Sequence, residues 1–133
     1  MRIWELDLPN RKIRPLDVNL GQTKRIVKAI SVSEVDDVFY CGTTTGDILE
    51  IGYPNGSYKA IGPEKNKFSL GVTAIQCLKN GDILAGSGDG KVMLLTPSTF
   101  KTKKVSECDA EISSLSLRGD GHMVNFIVFL SFF

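Results

Sequence analysis

Cys41-Gly42-Thr43-Thr44-Thr45-Gly46-Asp47-Ile48-Leu49-Glu50-Ile51 decides the fold, because it returns 44 residues later as Ala85-Gly86-Ser87-Gly88-Asp89-Gly90-Lys91-Val92-Met93-Leu94-Leu95. Gly42 falls on Gly86 and Gly46 on Gly90. Shifted the other way, Arg2-Ile3-Trp4-Glu5-Leu6 lies over Asp47-Ile48-Leu49-Glu50-Ile51, a third copy of the same strand. A second element recurs upstream as Arg25 to Val32, Gly71 to Leu78 and Glu111 to Leu117. A period of about 40 to 45 residues with several short strands in each is the signature of a β-propeller blade.

The strands themselves support that reading. Runs of four to eight residues rich in Val, Ile, Leu and Thr are bounded by Gly, Asn, Asp and Pro, and none is long enough for a helix. Asn80-Gly81 predicts a type I′ hairpin turn between the inner strands of one blade, and Asn55-Gly56 the same device between the outer strands of another. The glycines at 42, 46, 86 and 90 are expected between strands, where tight reversal favours a residue without Cβ. Several strands are apolar on both faces, as expected when each blade is sandwiched between others.

Parsing by the period yields an all-β, partial propeller: the outer half of a blade over 1–20, a blade over 21–63, another over 64–108 and the start of a fourth over 109–123. That is about two complete four-stranded blades plus parts of two flanking ones, whereas closure takes about four to eight. The expectation is an open slice that exposes end faces and edge strands.

Composition narrows the function classes. The chain has 133 residues, 42% hydrophobic and 23% charged, a globular rather than a disordered profile. Sixteen Lys and Arg against 15 Asp and Glu leave +1, so no global field gathers nucleic acid, anionic membrane or acidic substrates. Cys41, Cys77 and Cys108 are an odd number without CxxC spacing, neither a disulfide framework nor a zinc pattern, and point to a reducing compartment. The N-terminus carries charges where a signal peptide needs an apolar stretch. Val124 to Phe133 is apolar but far shorter than the roughly 20 residues of a membrane helix.

Each residue with chemical potential has a structural reading. Trp4, the lone tryptophan, is expected in the packing between blades. Gly86-Ser87-Gly88-Asp89-Gly90-Lys91 lacks the Gly and the Ser or Thr of a Walker loop at Ala85 and Val92, and a strand follows it, so it reads as a turn. His122, beside Asp120 on a glycine-flanked loop, cannot build a His-based metal site and has no placed nucleophile. Asp36-Asp37 reads as turn residues and Asn55-Gly56-Ser57 as a hairpin rather than a glycosylation site. The cysteines read as small buried hydrophobes. Lys101-Thr102-Lys103-Lys104, with Arg11-Lys12 and Lys24-Arg25, reads first as solvated outer strand and second as a cationic docking patch. No catalytic, cofactor or metal residues are assigned.

Four longer strings carry a more specific likeness. Arg2 to Ile13 (RIWELDLPNRKI), Gly42 to Leu49, Lys67 to Val72 and Leu117 to His122 together resemble the cilia- and flagella-associated protein 52 family, also called WD repeat-containing protein 16, over residues 2 to 123. The resemblance implies WD40 propellers in a much longer chain, this segment lying in the first of two. It also implies a non-enzymatic cytoplasmic protein of the axoneme that binds tubulin and other inner proteins of the doublet microtubule, stabilising it for motility, with no nucleic acid, membrane or small-molecule partner. Fold alone leaves a generic WD-type scaffold, such as a substrate adaptor in ubiquitin transfer, as the rival. Residues 124–133 depart from the family. They read either as translated intron, since valine codons begin with the GT of an intron donor, or as an isoform-specific tail that pairs as a strand.

Overall fold

A computed structural model describes residues 1–35, 37–117 and 124–128, and twelve strands account for their regular structure. In chain order these are β1 (Arg2–Asp7), β2 (Lys12–Asp17), β3 (Val27–Val32), β4 (Val38–Thr43), β5 (Ile48–Gly52), β6 (Tyr58–Gly62), β7 (Val72–Cys77), β8 (Ile83–Ser87), β9 (Lys91–Leu95), β10 (Thr102–Glu107), β11 (Ile112–Leu117) and β12 (Val124–Val128). They form four antiparallel meanders: the hairpin β1-β2, the sheet β3-β4-β5-β6, the sheet β7-β8-β9-β10 and the hairpin β11-β12. The stack does not close on itself. Of the apolar tail, Val124–Val128 forms β12 against β11; residues 129–133, like His122 and Asp120, lie outside the described residues.

Strand alternation explains how the sheets stack. On β4, Val38 and Tyr40 enter the core shared with the β7–β10 sheet, while Phe39 and Cys41 enter the one shared with the β1-β2 hairpin. On β8, Ile83 and Ala85 face the first of these cores and Leu84 faces β11, beside Ala74, Val92, Ile112 and Leu115. Three cores therefore separate four sheets. Strands β4, β5 and β8 are buried along their whole length, as both-faced packing requires.

Two sequence expectations about glycine are corrected. Gly42 and Gly86 lie inside β4 and β8, not between strands. A Cβ on Gly42 would come within 2.5 Å of Val72 Cγ1 on β7, and one on Gly86 would collide with Ile112 on β11. The repeated glycine therefore sets how closely one sheet approaches the first strand of the next. Gly46 and Gly90 do lie in turns, with φ of +86° and +90°.

The hairpin turns also differ from type I′. At Asn80-Gly81 only the glycine has positive φ (+89°). Gly81 N–H donates to the Leu78 carbonyl over 2.9 Å and Leu78 N–H to that of Asp82 over 2.8 Å, the pattern of a type I turn closed by a left-handed glycine. Asn80 serves through its side chain instead, its Oδ1 accepting Asp82 N–H over 3.0 Å. At Asn55-Gly56 the loop is longer than two residues: Gly56 N–H donates to the Gly52 carbonyl over 2.9 Å, and Asn55 Oδ1 accepts Ser57 N–H over 3.1 Å.

Trp4 is also corrected, being 56% exposed rather than core. Cross-strand pairing places Trp4 opposite Pro15 and Leu6 opposite Ile13 on one hairpin face. Ile3, on the other face, packs against Phe39, Cys41, Leu49 and Ile51. Nothing among the described residues covers the Trp4 face.

Candidate functional site

Two of the buried acids, Asp47 and Asp82, each lie in a turn between neighbouring strands of one sheet, and each is held in an ion pair. Asp47, 4% exposed after the β4–β5 turn, receives Thr45 Oγ1 over 3.0 Å and faces Lys67 Nζ at 2.8 Å and Arg25 Nε at 3.5 Å. The Lys67 contact is ionic, its angle outside hydrogen-bond geometry. Burial works to raise the pKa of this carboxyl, but the contacts with Lys67 and Thr45 and the charge of Arg25 outweigh it and hold it below the usual range. Asp82, 5% exposed, is gripped by Lys103 Nζ at 2.8 and 2.7 Å. A register shift between Thr102 and Lys104 makes a bulge of Lys103, whose half-exposed side chain reaches over to Asp82.

The glycine-rich turn after β8 is closed on itself. Gly88 N–H donates to the Gly71 carbonyl over 3.2 Å, Gly90 N–H to that of Ser87 over 3.2 Å, and Lys91 N–H to Ser87 Oγ over 3.1 Å. Ser87 Oγ also bonds Asp89, whose carboxyl stays below its ordinary pKa: burial opposes this, and Ser87 and Lys91 prevail. The amides of Gly88, Gly90 and Lys91 are thus already used, and β9 follows where a phosphate loop needs a helix.

The other sequence candidates are dispersed. Cys41 and Cys77 are buried and Cys108 half-buried, with no disulfide among them; burial pushes the Cys41 thiol up to about 12. Asp37 accepts Ser33 Oγ over 2.9 Å within the β3–β4 turn, and Asp36 lies outside the described residues. Of the basic runs, Lys103 and Arg25 are spent internally, Arg25 also capping the Leu20 carbonyl over 3.0 Å. Lys101 and Lys104 stay exposed on or beside the outer strand β10, and Arg11 and Lys12 at the tip of the first hairpin. Among the described residues no three His, Cys, Asp or Glu side chains group as a metal would require, and no helix is long and apolar enough to cross a membrane.

One group escaped sequence reasoning altogether. Glu50 on β5 is 5% exposed, and its Oε1 accepts Ser98 Oγ over 3.3 Å, while Oε2 has no hydrogen-bond partner. The repeat carries Glu5 and Leu94 at the equivalent positions, so nothing in the sequence alone signals that this acid is buried.

Comparison with known proteins completes the assignment. No family model matches the chain. Among solved structures, the WD40 repeats of RRP9 superimpose with a TM-score of 0.71 at 13% identity, covering 80% of this chain and 34% of that one. U3-55K gives 0.71 at 12% over the same shares. At such identity the likeness concerns fold alone: the sheets are blades of an open WD40 propeller. Among curated proteins, cilia- and flagella-associated protein 52 of Sus scrofa is 50% identical over 122 residues, 92% of this chain. That of Homo sapiens is 49% identical over the same length, and that of Chlamydomonas reinhardtii 45% identical over 119 residues. The chain spans about a fifth of the length of these relatives, 20% for the first. Over the matched residues, the chain belongs to the cilia- and flagella-associated protein 52 family.

Proposed function

We propose that the chain is a non-enzymatic interaction module of the ciliary and flagellar axoneme, residing in the cytoplasmic compartment and binding and stabilising doublet microtubules through tubulin and neighbouring doublet proteins. The observation that carries this is the 45 to 50% identity to cilia- and flagella-associated proteins from mammals to a green alga. The physical character of the chain agrees with it. Stacked sheets give a stiff scaffold, and affinity at such surfaces comes from broad complementarity with a few anchors. Exposed Lys101 and Lys104 offer cationic contacts to an acidic protein surface, which assists encounter more than affinity.

Epitope-tagged chain expressed in ciliated cells, followed by removal of membrane and soluble matrix, tests the reading. Retention with salt-washed doublets is the expected result. Recovery only in the detergent-soluble fraction sinks it and returns the chain to the generic scaffold class.

A further inference from the structure

The two hairpins at the ends of the stack are complementary halves of one blade. In the complete blades, β3-β4 and β7-β8 are the inner pairs, and β5-β6 and β9-β10 the outer pairs. Arg2 to Leu6 repeat Asp47 to Ile51, so β1-β2 is an outer pair without an inner one. The hairpin β11-β12 is an inner pair without an outer one: its register shift between Ile112 and Ser114 repeats that between Val72 and Ala74, and Ile127 stands on β12 where Gly86 stands on β8. Among the described residues, nothing pairs with the free edge of β1 or with that of β12. Open edges of this kind are templates for another strand.

A sheet face is left half covered in the same place. The first hairpin packs on β4 and β5, where Ile3 meets Phe39, Cys41, Leu49 and Ile51. It does not extend over the rest of β3. Ile30 and Val32 are 51 and 53% exposed there, whereas Ile75 and Cys77, their equivalents on β7, are buried against Val38 and Tyr40 of the preceding inner pair. What β3 lacks is therefore an inner pair continuing the hairpin's own interface, and β11-β12 is an inner pair with its outward edge open. Joining the two ends within one copy would close only three blades, fewer than the about four to eight that propellers use.

We propose that two copies of the chain close a six-bladed propeller head to tail, β12 of each pairing antiparallel with β1 of the other to complete a composite blade. The repeat sets the register. Tyr40 stands opposite Glu50 and Leu84 opposite Leu94, so Asn125 of one copy stands opposite Glu5 of the other. The composite blade covers Ile30 and Val32, and it turns Trp4 toward the preceding sheet, as Leu49 and Met93, its equivalents, are turned. The contact joins unlike surfaces, and such a contact makes a ring when its rotation closes. One position works against closure. Ile127 holds the place of Gly42 and Gly86, where a Cβ meets the first strand of the next sheet, and in the ring that neighbour is Val27 of the second copy. This inference is independent of the axonemal reading, since it rests on the edges of the chain alone.

The test uses the 133-residue chain carrying Cys108→Ser, which removes the half-buried native thiol. Sedimentation equilibrium from about 1 to 100 μM is expected to show monomer and dimer with nothing larger. On oxidation, a mixture of Glu5→Cys and Asn125→Cys chains is expected to form a disulfide-linked dimer, and neither variant alone does so, because unlike edges meet. Ile127→Gly is expected to tighten the dimer about fivefold or more by relieving the approach to Val27. Monomer throughout the range, a continuing series of larger oligomers, cross-linking by Glu5→Cys alone, or a dimer no tighter with Ile127→Gly would each overturn the proposal.

Discussion

At Gly42 and Gly81 the same residue type meets opposite demands, so one substitution separates them. Gly42→Ala introduces no strained φ but drives a methyl into Val72, an overpacking cost of about 1–3 kcal/mol, read as a lowered urea midpoint. Gly81→Ala meets nothing within 4 Å, and its cost of about 1–2 kcal/mol arises from a left-handed backbone at +89°. A Val72→Ala change is expected to recover much of the first loss and none of the second, in a double-mutant comparison. Asp47 and Asp89 carry the pH dependence. Their pKa values are lowered in the folded chain, so their stabilisation is full above the unfolded pKa near 3.9 and is lost as pH falls through the folded values. Acid titration of the melting midpoint is expected to fall below about pH 4, and Asp47→Asn to flatten that fall while lowering stability at pH 7.

Among the elements, the repeat is more regular than its residues suggest. The register shifts between Val27 and Ala29 on β3, between Val72 and Ala74 on β7, and between Ile112 and Ser114 on β11, the same step on each first strand. A bulge re-aims one side chain and sharpens local twist, and on β7 it lets Thr73 Oγ1 reach the Ile112 carbonyl of the next blade. On β3, Ser31 Oγ accepts the Cys77 amide over 2.9 Å across the neighbouring interface. First strands are thus tied to one another by hydroxyls. Ser31→Ala is expected to cost about 1–2 kcal/mol by leaving a buried amide unsatisfied, detectable as faster hydrogen exchange at Cys77.

For the whole molecule, the exposed face of the first hairpin sets solution behaviour. Trp4, Leu6 and Ile13 are 56, 61 and 62% exposed on one face, and β10 presents an open edge. Such surfaces associate. The chain is expected to elute above monomer size at tens of micromolar, with Trp4 emission shifting to the red on dilution. Trp4→Lys with Leu6→Lys is expected to restore monomer elution without moving the urea midpoint; unchanged association would place the contact at the β10 edge instead.

The strand inventory, the repeat and the open stack were legible in the chain, because period-2 apolar runs punctuated by glycine and asparagine are local signals that each strand writes by itself. The long strings at Arg2 to Ile13 and Gly42 to Leu49 likewise carried the family. What the chain could not disclose is everything that depends on which sheet lies opposite. Gly42 looks like a turn glycine until Val72 is seen against it, and Trp4 looks like core until its face is seen uncovered. Lys103 reads as solvated outer strand, and second as a docking cation, until a bulge turns it onto Asp82, and Glu50 carries no signal at all until its burial opposite Tyr40 is seen. Burial and ion pairing are properties of pairs of residues distant in sequence, and only the packed tertiary structure assigns those pairs.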